Sequence, residues 1–177
     1  MAGSTPMIAY KFLLTGSIGR FSGTPWPVAG QWLEAAAPLN ACASGVHATS
    51  LDTLAYWFED ELWTVELDGE ILNLGTSLVA QRGRLVKQID AWPQLSPEFA
   101  HDCATHAQSL AEQSSGNARV AALAAEAAEH SKHATTPRHA VIAAYATAVA
   151  ADLVQPGAFD TERRRQSRRI AAILGLS

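Results

Sequence analysis

The sequence predicts an α+β protein, in which a mostly antiparallel small sheet in residues 1–95 packs with a bundle of about four helices in residues 96–177. Several short stretches of the first half alternate apolar and polar residues, which is typical of half-buried strands. Beyond Pro97, apolar residues instead recur every three to four positions, as they do on a helix face. No repeat or low-complexity linker separates the halves, so we expect one compact unit.

The strand-rich half is predicted element by element from its alternation and its turn residues. The predicted strands cover residues 7–14, 31–36, 61–67 and 77–89. Residues 40–49 are expected to form a turn that runs into a further strand. Ser50 or Asp52 is expected to cap a short helix, and Asp68 and Gly69 to form a turn that ends the third strand. The fourth stretch would also suit a helical stripe, but Gly83 and the β-branched residues favour a strand.

The second half is rich in alanine and shows four helical stripes. The residues expected to face the core are, helix by helix, Phe99, Cys103, His106 and Leu110; Val120, Leu123 and Ala127; Val141, Tyr145, Val149 and Leu153; and Phe159, Ile170, Ile173 and Leu174. Pro137 is well placed to begin the third helix. Residues 92–97, which contain two prolines, are the expected boundary between the halves.

Composition excludes several classes of protein. A hydrophobic content of 48% with 17% charged residues indicates an ordered globular chain. No apolar run approaches the length of about 18 residues that spans a bilayer, and the N-terminus lacks the pattern of a signal peptide. We therefore expect a cytoplasmic protein without a membrane association. The net charge of −4 argues against general nucleic-acid binding, and two cysteines make no disulfide framework.

Four short motifs give the first half a partial resemblance to a family. They are Tyr10-Lys11, Cys42-Ala43-Ser44-Gly45-Val46-His47-Ala48, Tyr56-Trp57 and Glu66-Leu67-Asp68-Gly69. With them, residues 8–90 resemble an uncharacterised bacterial and phage domain family that is sometimes found ahead of pentapeptide repeats. The resemblance implies a bacterial protein and a strand over residues 77–89, and it carries no known activity.

Residues 42–49 are the first candidate for chemistry, because they combine a thiol, hydroxyls and an imidazole. His47 is the candidate acid or base, since its ordinary pKa lies nearest to neutral pH, and Cys42 or Ser44 is the candidate nucleophile or polar contact. In an extended strand His47 lies on the opposite face from Ser44, so a nucleophile pair needs a bend at Gly45. The alternative is a structural turn with these side chains packed beneath it.

Further residues would complete a small-molecule site near this segment. The predicted substrate-binding residues are Tyr10, Lys11, Trp26, Thr49 and Glu66. Trp26, between two prolines in a glycine-rich loop, would act as a lid over the pocket. The architecture of ADP-ribosyltransferases offers a distant analogy, in which Tyr10, Lys11 and Glu66 would cradle NAD, but the motifs of that family are absent.

The histidines of the helical half suggest an alternative as a metalloprotein. Glu126, His130 and His133 share a helix face, and an antiparallel hairpin would bring His106 level with Glu126. Imidazole and carboxylate ligands would suit Zn or Fe. The spacing matches no established motif, so we predict no metal site and expect His106 to be packed and the other two histidines to be exposed.

Residues 163–169 contain five arginines and suggest a third kind of function. The alanine-rich helical half is similar to the tails of bacterial immunity-type proteins, and such an arginine run could hold an acidic protein partner. The alternative is a solvated helix face that docks on the acidic residues Glu59, Asp60 and Glu61. The leading prediction is a small enzyme or ligand-binding protein for a small molecule, and the non-catalytic interaction protein is the main alternative.

Overall fold

A computed structural model of the protein describes residues 6–40 and 44–177. The described chain forms two compact units, one ending at Asp90 and one beginning at Ala91, and each is described by itself. The first unit contains a five-stranded antiparallel sheet and the second contains four helices, so the predicted α+β class is confirmed.

The sheet unit consists of five strands and one short helix. The strands are β1 (Met7–Leu13), β2 (Leu33–Glu34), β3 (Val46–Ala48), β4 (Glu61–Asn73) and β5 (Leu78–Gln88), with a 3₁₀ helix over Leu51–Tyr56. The order is β1-β4-β5, and β5 pairs on its other side with β2 and β3. Tyr10 and Thr49 then exchange two backbone hydrogen bonds of 2.8 Å, which connect the end of β3 back to β1. The ladder therefore closes into a small barrel.

The inside of this barrel is apolar, and every strand of the ring contributes to it. The buried interior residues are Ala9, Leu13, Val46, Ala48, Val65, Leu67, Leu78, Ala80 and Leu85. Because side chains alternate along a strand, Lys11 shares the interior face of β1 with Ala9 and Leu13. Trp26 and Trp63 pack against the same cluster, and Trp63 lies directly across from Lys11 in the ladder.

The predicted turn at Asp68 and Gly69 is wrong, because β4 continues to Asn73. The register with β5 shifts between Asp68 and Ile71, so the two turn-like residues form an irregularity inside a long strand. Asp68 satisfies the backbone N–H of Gly69 at 2.7 Å and pairs with Arg82 on the next strand. Cross-strand pairing thus outweighs the local turn signal.

The helical unit consists of α1 (Ala91–Gln113), α2 (Ala118–Lys132), α3 (Pro137–Val154) and α4 (Phe159–Leu174). The two compact units divide between Asp90 and Ala91, a few residues before the stretch expected as the boundary, and residues 92–97 form the first turns of α1. Pro97 removes the N–H that would reach the carbonyl of Pro93, and the hydroxyl of Ser96 donates to that carbonyl instead, at 3.0 Å. The helix therefore continues through Pro97, the residue at which the sequence pattern suggests that it begins.

The face that α3 buries also differs from the prediction. Tyr145, expected in the core, is 58% exposed and contacts the ring of Phe159 edge to face. The buried positions of α3 are instead small residues: Ala140, Ala143, Ala144, Ala146, Thr147, Ala148, Ala150 and Ala151. Because α3 packs against the other three helices, small side chains let the helix axes approach closely, and the larger side chains lie towards the periphery.

Candidate functional site

In the predicted segment of residues 42–49, Ser44 and His47 do not form a nucleophile–base pair. Cys42 lies outside the described residues. Ser44 exchanges backbone hydrogen bonds with Asn40, and its hydroxyl donates to the carbonyl of Ala36 rather than towards His47. Next to it, a side chain on Gly45 would place Cβ only 2.1 Å from Cγ1 of Val79, so this position requires glycine for close packing.

His47 is central in β3 and half-buried. It pairs with Val79 and lies on the opposite face from the interior residues Val46 and Ala48. Burial lowers the pKa of His47, and the positive charge of Lys11 lowers it further. The imidazole is therefore biased towards its neutral form, which can accept a proton.

Tyr10 and Thr49 hold the barrel closed. Both are almost completely buried, at 6% and 2% exposure, and their backbones form the bridge between β1 and β3. The hydroxyl of Thr49 bonds to that of Thr53 at 2.8 Å, and burial raises the pKa of Tyr10. This geometry gives both residues a structural role.

Glu66 lies on the outer face of β4, away from the interior, and pairs with Arg84. Nε of Arg84 donates to its carboxylate at 2.6 Å, and Arg82 makes the corresponding pair with Asp68. The ring of Trp32 lies 4.8 Å from the guanidinium of Arg82 and 4.7 Å from that of Arg84. A cavity of about 290 Å³ lies beside this array. The two arginines and the two carboxylates of this array neutralise one another, so a charged ligand would gain little electrostatic stabilisation there.

Lys11 differs from these charged groups because its charge is not neutralised. Its ammonium lies 5.7 Å from the centre of the Trp26 ring, a cation–π contact. Within residues 6–40 and 44–177, Lys11 forms no ion pair with a carboxylate. Burial lowers the pKa of Lys11 to about 8. The amine is thus in an environment that disfavours its charged form.

The loop that carries Trp26 is fastened by three consecutive carboxylates. Glu59 pairs with Arg20 at 2.5 Å, and Asp60 accepts hydrogen bonds from the backbone and hydroxyl of Thr15. Glu61 accepts from the backbone of Gly16 at 2.8 Å, from the hydroxyl of Ser17 at 3.1 Å and from the indole of Trp63 at 2.9 Å. The backbone N–H of Trp26 then donates to Ser17 at 2.9 Å.

This clamp of Glu59, Asp60 and Glu61 gives the acidic stretch a function that the sequence analysis missed. Its contacts place the loop, and with it Trp26, at the end of the barrel that contains Lys11 and Trp63. In the sequence the three carboxylates stand between 39 and 45 residues after the loop residues that they bind, so their partners are not evident there. Only the ladder between β1 and β4 brings them together.

The metal-ligand set suggested for the helices does not assemble. His106 pairs with Glu162 at 3.3 Å, and His133 pairs with Glu129 at 2.9 Å. No three side chains of the His, Cys, Asp or Glu type converge on a metal-sized site in the described part of the chain. His130 instead forms a hydrogen bond with His139, a residue that the sequence pattern does not single out.

Glu162 organises the interior of the helical unit. It is 4% exposed and accepts two hydrogen bonds of 2.7 Å from Arg165 and one of 2.9 Å from Gln166. Burial by itself would raise the pKa of Glu162, but the hydrogen bonds from His106 and Arg165 outweigh it and hold the pKa at about 2. Nearby Cys103 is fully buried, and burial raises its thiol pKa, so it is not a reactive cysteine.

The arginine run is only partly a surface feature. Arg165 is engaged by Glu162, Arg169 pairs with Asp102 and Glu98 of α1, and Arg163 is buried with a bond of 2.9 Å to Gln166. Arg164 and Arg168 are exposed, one turn apart on α4. The expected solvated face therefore holds for Arg164 and Arg168, whereas Arg165 and Arg169 are partly exposed and paired, and Arg163 is buried.

Comparison of the chain with protein-family models, with curated proteins and with solved structures found no match. The resemblance of residues 8–90 to the uncharacterised domain family therefore stays a prediction. Among the described residues, no helix combines the length and apolar character required to cross a bilayer.

Proposed function

We propose that the sheet unit is a small-molecule-binding module whose ligand is anchored by the Lys11 amine beneath Trp26. The observation that carries this proposal is a cation on the apolar interior face of the barrel that no described carboxylate neutralises. An anionic ligand would supply the missing charge. The ligand is therefore a small carboxylate or phosphate, and its apolar or planar body would contact Trp26.

The electrostatics of the site support this ligand class. A lysine whose pKa is depressed by burial gains a favourable interaction when an anion binds, and its pKa then rises. Binding should therefore take up a proton near pH 8 and weaken above it. His47 senses the charge of Lys11 through its pKa, but its side chain lies on the outer face of β3, so a role as acid or base would apply to a group that reaches this face and not to the interior ligand.

The test is a calorimetric titration of the full chain with acetate, benzoate, inorganic phosphate and phenyl phosphate, with benzyl alcohol as a neutral reference. We expect saturable binding of at least one anion and a loss of at least about tenfold in affinity in Lys11→Met, equivalent to about 1.4 kcal/mol. Lys87→Met is the matched control, because Lys87 is exposed on β5. Binding of none of these anions, or equal binding to both variants, would refute the proposal.

A second candidate function rests on Arg164 and Arg168. Exposed one turn apart on α4, they form no ion pair with any described residue, and they would suit an acidic protein partner. Charge reversal of both arginines should then weaken a salt-sensitive complex, whereas Lys11→Met should leave that complex unchanged. The reverse result would favour the small-molecule module.

A further inference from the structure

His130 and His139 meet where α2 ends and α3 begins. His130 lies in the last turn of α2, and His139 lies in the first turn of α3, two residues after Pro137. Both side chains are half-buried, and their Nδ1 atoms are 3.1 Å apart. The ring centroids are 5.3 Å apart with an interplanar angle of 41°. The contact is a hydrogen bond between rings on two different helices, in which the tautomers decide which Nδ1 donates. When that proton is carried by Nε2 of the same ring instead, both Nδ1 lone pairs are available to a ligand.

This separation matches the spacing of two neighbouring ligands on one metal ion. Imidazole nitrogens bind Zn²⁺ at about 2.0–2.1 Å, so a separation of 3.1 Å corresponds to an N–metal–N angle of about 100°. That angle lies between the square-planar and tetrahedral values.

We infer that His130 and His139 form a binding site for a divalent first-row transition metal such as Zn²⁺. Imidazole is a preferred ligand of these ions, and water would complete the coordination of a site with two protein ligands. Glu126 lies one turn before His130 on the same helix face and is exposed, so its carboxylate can supply a third ligand after a rotamer change. These metal ligands differ from the ones that the sequence suggested, because His106 and His133 pair with Glu162 and Glu129.

The experiment is a calorimetric titration of the full chain with Zn²⁺ alone, at pH 7.5 and pH 5.5. We expect one equivalent to bind at pH 7.5, with at least about tenfold weaker binding at pH 5.5, where imidazoles bind protons in competition with the metal. His130→Gln and His139→Gln should each weaken binding by at least about tenfold, while Glu126→Gln should have a smaller effect. Glutamine keeps a polar group at each position, which limits the effect on packing.

His133→Gln and His101→Gln are the control variants, since both histidines are exposed, His133 directly after the end of α2 and His101 on α1. Their Zn²⁺ affinity should equal that of the unmodified chain. The inference is overturned if the unmodified chain binds no Zn²⁺, or if binding survives both His130→Gln and His139→Gln. Equal losses in the control variants would overturn it as well, because the ion would then bind surface histidines without selectivity. Thermal unfolding without metal verifies that every variant is folded.

Discussion

Replacing Lys11 by methionine should stabilise the sheet unit at neutral pH. Lys11 keeps a positive charge in an apolar environment, whereas methionine has a similar length and no charge. If Lys11 serves only a ligand, then the protein without ligand is destabilised by its presence. Binding residues commonly have such a cost in stability.

The magnitude follows from the pKa of Lys11. A decrease from 10.5 to about 8 corresponds to roughly 3–4 kcal/mol at about 1.4 kcal/mol per pH unit, and partial exposure of the side chain reduces this to about 2 kcal/mol. Below pH 8 the amine is charged in both the folded and the unfolded state, so the full penalty applies. Between pH 8 and 10.5 the folded state releases its proton first, and the penalty disappears.

The free energy of unfolding is best measured by urea titration at several pH values between 7 and 10. Tryptophan fluorescence reports mainly on the sheet unit, because four of the five tryptophans precede Asp90. Lys11→Met should be more stable than the unmodified chain by about 2 kcal/mol at pH 7, and the difference should shrink as the pH rises through 8 towards 10.5. Lys87→Met should show no comparable dependence.

Two results would refute this reasoning. If Lys11→Met were less stable than the unmodified chain at pH 7, the amine would have a favourable partner in the folded state. If the variant were more stable by the same amount at every pH, the gain would come from added apolar contact and not from the removal of a charge. The pH dependence therefore distinguishes electrostatics from packing.

Two further predictions concern the packing of each unit. Gly45→Ala should lower the free energy of unfolding by about 1–3 kcal/mol, because its Cβ would overlap Cγ1 of Val79. Gly16→Ala is the comparison in urea unfolding. At Gly16 a Cβ meets open space, so only the positive φ of the backbone contributes a cost. Glu162→Gln should cost about 3 kcal/mol at pH 7, since it leaves Arg165 without its buried partner. The folded pKa of Glu162 lies below its unfolded value, so this contribution is complete above about pH 4.5 and should be lost as the pH falls towards 2; a loss that stayed constant down to pH 2 would contradict the assignment.

Local patterns were sufficient to predict the fold class and most of the elements. Alternation predicted β1 and β5 closely, and spacing predicted all four helices, because these signals depend on which face of an element is buried. The buried face of α3 was predicted wrongly, since hydrophobicity ranks Tyr145 above the alanines, whereas close packing among helices selects small residues. The pattern of Pro93 and Pro97 suggested a break because the compensating hydroxyl of Ser96 is not evident without the structure.

The candidate site was harder to predict, because it depends on contacts between distant parts of the chain. The sequence suggested Lys11 and Trp26 as substrate-binding residues but gave the leading role to His47, Cys42 and Ser44. What distinguishes Lys11 is its position on the interior face of a closed barrel and the lack of a described counter-ion, and both follow from pairing across β1, β3 and β4. The pair of His130 and His139 likewise depends on the turn between α2 and α3.

The most direct test of the central claim is an NMR titration of the lysine side chains. The chain contains three lysines, Lys11, Lys87 and Lys132, so the signals can be assigned by single substitutions. The signal of Lys11 should titrate with a midpoint near pH 8, and the midpoint should rise when a bound carboxylate or phosphate is present. A Lys11 midpoint at the ordinary lysine value of about 10.4, with or without an anion, would contradict the claim that this amine is desolvated and available to a ligand.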